Sequence, residues 1–492
     1  MISWHQRHQA SAQIIYIFLL FEINRMKITF YGAAQKVTGS KHLVTTASGK
    51  NILLDCGLFQ GEGDKTDELN RHFGFDPTSV HALVLSHAHA DHAANIPYLY
   101  KQGFKGITYC TPATLDLCKV MLMDSAHIQE HDIEYVNKYR KRQGKPGFEP
   151  LYVATDVDNA IRNFISVPYG QLQKVTDDFS FMYTDSGHIL GSAAVNIKLN
   201  DNGVETSLFF SGDIGRFTDL ILPPPQPFPQ ADYIICESTY GNRLHEAQVD
   251  AEKKLLKVVI ETCTVKKGKL IIPAFSLGRT QEIIFVLDRL HTKGLMPFVK
   301  IYIDSPLAIN ITEIMRKHIE AFNTEIKNYM KTDADPFGYA DVHFIKEVED
   351  SKALNNSDEP CIIISASGML EAGRVKHHVK NNISDSRNTI LIVGYCPPES
   401  LGGKLMNGAK YVKIFGKEYE VNAAVEVISN YSAHADYSEM LKYLSCQKAD
   451  KVKRIFLVHG TLAVQEAYRL KLMNAGFNDV VIPKMSESFE LD

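Results

Sequence analysis

The eight cysteines of this sequence, at 56, 110, 118, 236, 263, 361, 396 and 446, include no CxxC pair. Scattered cysteines, several of them in apolar strand-like runs, exclude a disulfide framework and read as small buried residues in a reducing compartment. An excess of charge is also missing. With 53 basic and 57 acidic residues the formal charge is −4, which argues against a general nucleic-acid coat protein. It leaves room for a nuclease whose basic groove lies beside metal ions. Long apolar runs are absent too. Ile14–Phe21 is too short to span a bilayer and runs into Glu22 and Arg25 without a small-residue cleavage site. Neither a signal peptide nor membrane attachment is expected, and cytoplasm is the default. Residues 1–25 read as an upstream start or a loosely attached segment before a natural first strand at Lys27–Tyr31.

What is present is the composition of an ordinary globular protein, 45% hydrophobic and 22% charged. Its 492 residues exceed what one hydrophobic core serves, so two domains are expected. One stretch stands out. The apolar run Ala82–Ser86 ends in His87-Ala88-His89-Ala90-Asp91-His92, and a helical pattern follows through Tyr100. Three imidazoles and a carboxylate on six positions are metal ligands by type and suit zinc.

Other strand ends carry residues of the same kind. Asn51–Leu54 runs into Asp55-Cys56-Gly57, which suits a site residue or an ordinary Asx turn. His188 lies between Gly187 and Gly191, and Asp213 follows the strand-like Leu208–Ser211 and Gly212. Singly, each also reads as a loop residue. Together they matter because a dinuclear site needs about six or seven ligands, more than one loop can supply.

From 238 to about 425 the pattern changes to strand–loop–helix units, which suggest a parallel α/β domain. Lys269–Pro273, Val299–Ile303 and Cys361–Ser365 each lead through small or glycine-bearing loops into helices. Such ends favour anions, and they equally suit plain turn chemistry. Arg279, Arg374, Lys376, His377 and His378 lie beside them as candidate phosphate contacts. The basic run Lys138–Lys145 reads first as a solvated insertion and second as another phosphate contact. The tail carries two more strand ends with histidine, His434 and His459.

In that order Asp55, HAHADH, His188 and Asp213 resemble the metallo-β-lactamase superfamily. Ile234–Asn242, with Glu237, resembles the first motif of its β-CASP branch, and His434 and His459 match the second and third. The similarity runs from Met26 onward and is nearest to bacterial ribonucleases related to the nuclease subunit of the pre-mRNA 3′-end cleavage factor. It implies an α/β fold: a metallo-β-lactamase αββα sandwich (26–236 and 425–492) with an inserted parallel-sheet β-CASP domain (237–424) capping the metal site. By the same resemblance His87, His89 and His188 bind one Zn2+ and Asp91, His92 and His459 a second, with manganese an alternative. Asp213 and a water or hydroxide bridge them. Asp55 orients a ligand or the nucleophile, and His434, backed by Glu237, protonates the leaving oxygen. Ser432 and Ala433 hold the scissile phosphate, while Arg279, Ser367 and Arg374 contact the RNA backbone.

The implied activity is hydrolysis of single-stranded RNA, with His459 favouring RNA over DNA. Endonucleolytic cleavage leads over 5′-3′ exonuclease action, because no tail domain like that of ribonuclease J follows His459. A small-molecule metallohydrolase ranks lower still, since such relatives lack the inserted domain. A homodimer is compatible with the resemblance, and a membrane partner is not expected.

Overall fold

The computed structural model describes residues 25–245, 248–394, 396–428 and 432–492. The expected N-terminal extension, apart from Arg25, and positions 429–431 lie outside them.

Alternating apolar residues build two seven-stranded sheets. The first runs, edge to edge, through Glu487–Glu490, Lys27–Phe30, His42–Thr45, Asn51–Leu54, Val80–Val84, Ile107–Cys110 and Phe164–Ser166. The second runs through Val480–Val481, Arg454–Val458, Tyr233–Glu237, Val204–Phe210, Ala193–Asp201, Phe179–Asp185 and Leu172–Lys174. Period-2 alternation decides which faces meet. Phe179, Phe181 and Tyr183, with Val195, Ile197 and Leu199, turn inward against Ile28, Phe30, Val44, Ile52 and Val84 of the first sheet. Each fully buried side chain of this size contributes about 1.5–3 kcal/mol.

The outer faces are covered by helices, giving the αββα sandwich. Phe209, Ile234, Cys236 and Leu457 pack under Met440, Leu444, Tyr468 and Leu472. Leu53, Leu83 and Leu85 pack under Ile96, Leu99, Leu117 and Leu122.

A third, all-parallel sheet forms the inserted domain. Its order is Val342–Phe344, Lys300–Asp304, Cys361–Ser365, Leu270–Pro273, Thr389–Ile392 and Ala424–Val427. Continuous apolar runs such as Leu270–Ile272 suit a sheet buried on both faces. One boundary shifts from the expectation. Ala424–Val427 pairs with Thr389–Ile392, Ile390 opposite Val425, so this strand belongs to the inserted sheet and the chain returns to the sandwich after Val427.

The two domains share one apolar cluster, in which Leu117 and Ile189 join Leu277, Ile311 and Met315. Asn323 of the insert donates to the carbonyls of Asp219 and Leu222 (3.1 and 3.2 Å). The cap is therefore docked on the sandwich through packing and directed hydrogen bonds. Seven cysteines are buried, and Cys446 is the exception to the expected burial, being exposed. Among the described residues no helix is long and apolar enough to cross a membrane.

Candidate metal centre

Strand ends at one edge of the sandwich gather the ligand-type residues. Val80–Val84 delivers Leu85, Ser86 and His87, and His89 stands at the N-terminus of the short helix Ala90–Ala93, which carries Asp91 and His92. The loop after Phe179–Asp185 brings His188, the loop after Val204–Phe210 brings Asp213, and Arg454–Val458 ends directly at His459.

Close backbone packing holds these loops. A Cβ on Gly57 would stand 1.6 Å from the Asp91 carbonyl oxygen, and one on Gly215 1.8 Å from that of Gly187. Only glycine lets the loops approach this far. His459 itself adopts a left-handed conformation, φ 54°. For a side chain with a Cβ that is uncommon and costs energy, a pattern met at functional sites.

Asp213 lies at the centre. Its Oδ2 is 3.4 Å from both His87 Nε2 and His188 Nε2, and its Oδ1 is 3.3 Å from His92 Nε2 and 3.7 Å from His459 Nε2. On one side His89 Nδ1 is 3.2 Å from the Nε2 atoms of His87 and His188. On the other, His459 Nε2 is 3.2 Å from Asp91 Oδ2. Two donor groups result, His87–His89–His188–Asp213 and Asp91–His92–His459, and the carboxylate of Asp213 faces both.

Their geometry fits metal ions better than hydrogen bonds. His92 Nε2 and Asp213 Oδ1 are buried and have no hydrogen-bond partner, although they lie 3.3 Å apart. Ligands about 2.0–2.1 Å from a tetrahedral ion are themselves separated by about 3.4 Å. The donor atoms here have that spacing. Burial lowers the pKa of His87, of His188 and of His89, the last to about 3. These rings are neutral at pH 7, with lone pairs free for a cation.

Surrounding oxygens fix the other ring nitrogens. His92 Nδ1 donates to Asp55 Oδ2 (2.6 Å), whose carboxylate also accepts from Ser86 N (2.7 Å) and Ser86 Oγ (2.9 Å). Ser86 Oγ is 3.0 Å from His87 Nδ1, and Thr239 Oγ1 is 2.8 Å from His459 Nδ1. Each contact turns a ring so that its Nε2 faces Asp213, the usual support of ligating histidines. Sequence reasoning missed Ser86 and Thr239; adjacency to HAHADH and to Glu237 was the available signal.

Beside this centre His434 Nδ1 lies 3.1 Å from Glu237 Oε1 and 3.9 Å from Asp213 Oδ2. Burial opposes a charge on His434, but Glu237 and Asp213 outweigh it and lift the ring to about 9. Glu237 also accepts from Ile214 N (2.6 Å) and Thr239 N (3.2 Å), so its position is fixed from three sides. Asp213, Glu237, His434 and His459 form a third ligand-type group. The Glu237 oxygens are already taken by these donors, which suits a proton relay rather than a cation.

The expected RNA contacts are less uniform. Ala433 and Arg279 line a cavity with His188, Ile189, Gly278 and Glu282. Arg279 is buried and ion-paired with Glu282. Ser432 and Ser367 are half-buried at the loops. Arg374 departs from its expected role. Its guanidinium binds Asp304 Oδ1 (2.7 Å) and the carbonyl of Lys346 (2.7 Å). Asp304 is fully buried at a strand end, where a carboxylate needs a counter-charge. His378, also fully buried, binds the other oxygen of Asp304 at 2.6 Å. The basic run near 140 ends the long helix Pro112–Arg142, where Lys138 pairs with Glu134 and Arg140 lies over Phe148.

Three family descriptions match the chain: the metallo-beta-lactamase superfamily at 41–160, the Beta-Casp domain at 280–405, and the Zn-dependent metallo-hydrolase RNA specificity domain at 418–483. A ribonuclease of Thermus thermophilus is 34% identical over 438 residues, covering 88% of this chain and 93% of its own length. An RNase J-like protein of Methanocaldococcus jannaschii is 31% identical, covering 88% and 92%. Transcription termination factor FttA of Methanosarcina mazei is 29% identical, covering 88% and 67%. A crystal structure of an Enterococcus faecalis protein of unknown function shares the fold, with TM-score 0.52 and 12% identity, covering 95% of this chain and all of that one (100%). A relative 34% identical over nearly its whole length, together with the paired donor groups at one sandwich edge, shows that the chain belongs to the β-CASP ribonuclease branch of the metallo-β-lactamase superfamily and is a metal-dependent hydrolase.

Proposed function

We propose that the protein is a two-zinc ribonuclease that cuts single-stranded RNA internally, in RNA processing or decay. The observation that carries this reading is the position of Asp213, with one oxygen toward His87 and His188 and the other toward His92 and His459, directly beside His434. His87, His89 and His188 would hold one ion, Asp91, His92 and His459 the other, and Asp213 both. When bound, a pair of divalent ions lowers the pKa of a shared water and offsets charge on the phosphate.

The chain's own groups supply the rest. Asp55, Ser86 and Thr239 keep His92, His87 and His459 in the ligating orientation. His434, held protonated near neutral pH by Glu237 and Asp213, gives its Nε2 proton to the departing ribose oxygen as general acid. Backbone N–H groups and the hydroxyl at Ser432 and Ala433 hold the scissile phosphate, next to the cavity lined by Arg279. The match of residues 418–483 to an RNA specificity domain and the ribonuclease among the relatives support RNA as substrate. Its buried, unpaired thiols support a reducing, cytoplasmic setting.

The test offers the zinc-loaded protein end-labelled single-stranded RNA, DNA and structured RNA, beside His434→Ala. Internal cuts in single-stranded RNA are expected. Release of mononucleotides from a 5′ end would replace the endonuclease reading, and hydrolysis of a thioester or lactam without cleavage of any polynucleotide would overturn the whole reading.

A further inference from the structure

We propose that Phe275 is a stacking platform for one unpaired base of the RNA, a nucleobase subsite on the cap; this rests on the ribonuclease reading above. Phe275 follows the strand Leu270–Pro273, which lies between Cys361–Ser365 and Thr389–Ile392. The next three strands of the insert, Lys300–Asp304, Val342–Phe344 and Cys361–Ser365, extend the sheet to one side of it, and the last two, Thr389–Ile392 and Ala424–Val427, extend it to the other. In open parallel sheets, ligands bind beyond the carboxyl ends of the strands at such a reversal.

The ring is presented, not left over. Phe275 is 39% exposed between Ala274 at 0% and Leu277 at 5%. Its carbonyl accepts from Thr280 N (3.2 Å) and Thr280 Oγ1 (2.8 Å), and the next carbonyl, of Ser276, accepts from Gln281 Nε2 (3.1 Å). Ser276 Oγ also meets Ser305 Oγ at 3.1 Å. A large apolar side chain thus stays in solvent on a backbone pinned at several points.

Bare backbone makes room for it. A Cβ on Gly368 would stand 2.8 Å from Phe275 Cδ2 and Cε2, and one on Gly394 3.7 Å from Cε2. Gly368, on the loop of one flanking strand, thus leaves the room the ring occupies, and Gly394, on the other, lies at van der Waals range from it. A protein partner would call for a contiguous apolar patch, and the apolar neighbours of Phe275 on its own loop are buried.

The loop then reaches the metal centre. A Cβ on Gly278 would lie 3.7 Å from Ile189 Cγ2, next to His188. Leu277, Gly278 and Arg279 line the same cavity as His188 and Ala433. Three residues from Gly278, the Phe275 Cα is at most about 11 Å from it, close enough to serve a nucleotide near the scissile phosphate. Every base offers a π-face, so such a platform adds affinity without sequence preference, roughly 5- to 150-fold per base.

RNA carrying 2-aminopurine at successive positions around the cut site would be bound to full-length protein with Phe275, Phe275→Trp or Phe275→Leu, each in the His434→Ala background to halt turnover. The expected result is quenching at one position with Phe and Trp, lost with Leu, and affinity roughly tenfold weaker with Leu. An abasic nucleotide at that position should bind the Phe and Leu forms alike. If the wild-type protein cuts RNA but Phe275→Leu binds and quenches like Phe275 at every position, the stacking proposal falls alone. If the wild-type protein neither binds nor cuts RNA, the ribonuclease reading falls and the subsite with it.

Discussion

Asp55, just past the strand Asn51–Leu54, and His92, on the short helix Ala90–Ala93, meet at 2.6 Å, carboxylate to Nδ1. The contact leaves His92 Nε2 facing Asp213, and Asp55 is itself held by Ser86. Replacing Asp55 with Asn keeps the shape and removes the charge that fixes the ring. Zinc affinity of the Asp91–His92–His459 group should fall about 10- to 100-fold, the usual effect of losing such a partner. Competitive zinc titration of wild type and Asp55→Asn measures it, and equal affinities would contradict the assigned role.

His434 should be separable from metal binding. His434→Ala is expected to lower kcat by about 10²- to 10⁴-fold while the zinc content of the purified protein stays at the wild-type level. Glu237→Gln removes the larger of the two charges that lift the His434 ring to about 9, so the high-pH limb of the rate profile, where His434 loses its proton, should move to lower pH. Single-turnover rates against pH, with metal analysis of each variant, check both.

Gly57 tests the close packing beneath HAHADH. A methyl group there would fall 1.6 Å from the backbone oxygen of Asp91, which no side-chain motion can relieve. The strand-end loop also ties Cys56 N to the His92 carbonyl (2.8 Å). Gly57→Ala should therefore lose zinc and activity while far-ultraviolet circular dichroism remains that of a folded chain. Wild-type zinc content in a folded Gly57→Ala protein would show that the loop tolerates displacement.

Much of this centre was legible from one-dimensional pattern. HAHADH, Asp55, His188, Asp213 and His459 sit at ends of short apolar strands, and a two-layer sandwich brings such ends to one edge. The Asp213 carboxylate's double orientation was expected from the family resemblance alone, because spacing does not reveal χ angles set by tertiary packing. Arg374 shows a different limit. Its sequence neighbourhood suits phosphate, yet the buried Asp304, 70 residues earlier, takes the guanidinium first. The strand Ala424–Val427 was assigned to the wrong side of the domain boundary because an apolar run does not reveal its pairing partner.

Asp288 gives a pH-dependent prediction remote from the metal centre. It is fully buried on the cap helix Arg279–Thr292, and accepts from Tyr329 Oη at 2.6 Å. Burial pushes its carboxyl from 3.8 up to about 6. A folded-state pKa above the unfolded one means that the group favours folding below pH 3.8 and loses this contribution as pH rises through about 6. Asp288→Asn retains the acceptor without the charge. It should be more stable than wild type by about 1–3 kcal/mol at pH 7.5, with the gain vanishing near pH 4. Thermal melts at the two pH values test this, and a gain independent of pH would contradict it.

The claim on which everything else depends is that Asp213 joins two metal ions into one reactive centre. The most direct measurement strips the protein with a chelator, restores zinc in known equivalents and follows cleavage of end-labelled single-stranded RNA. The account predicts little activity at one equivalent, full activity at two, and no recovery in Asp213→Ala at any zinc level. Full activity at one equivalent, or cleavage persisting in the stripped protein, would contradict it.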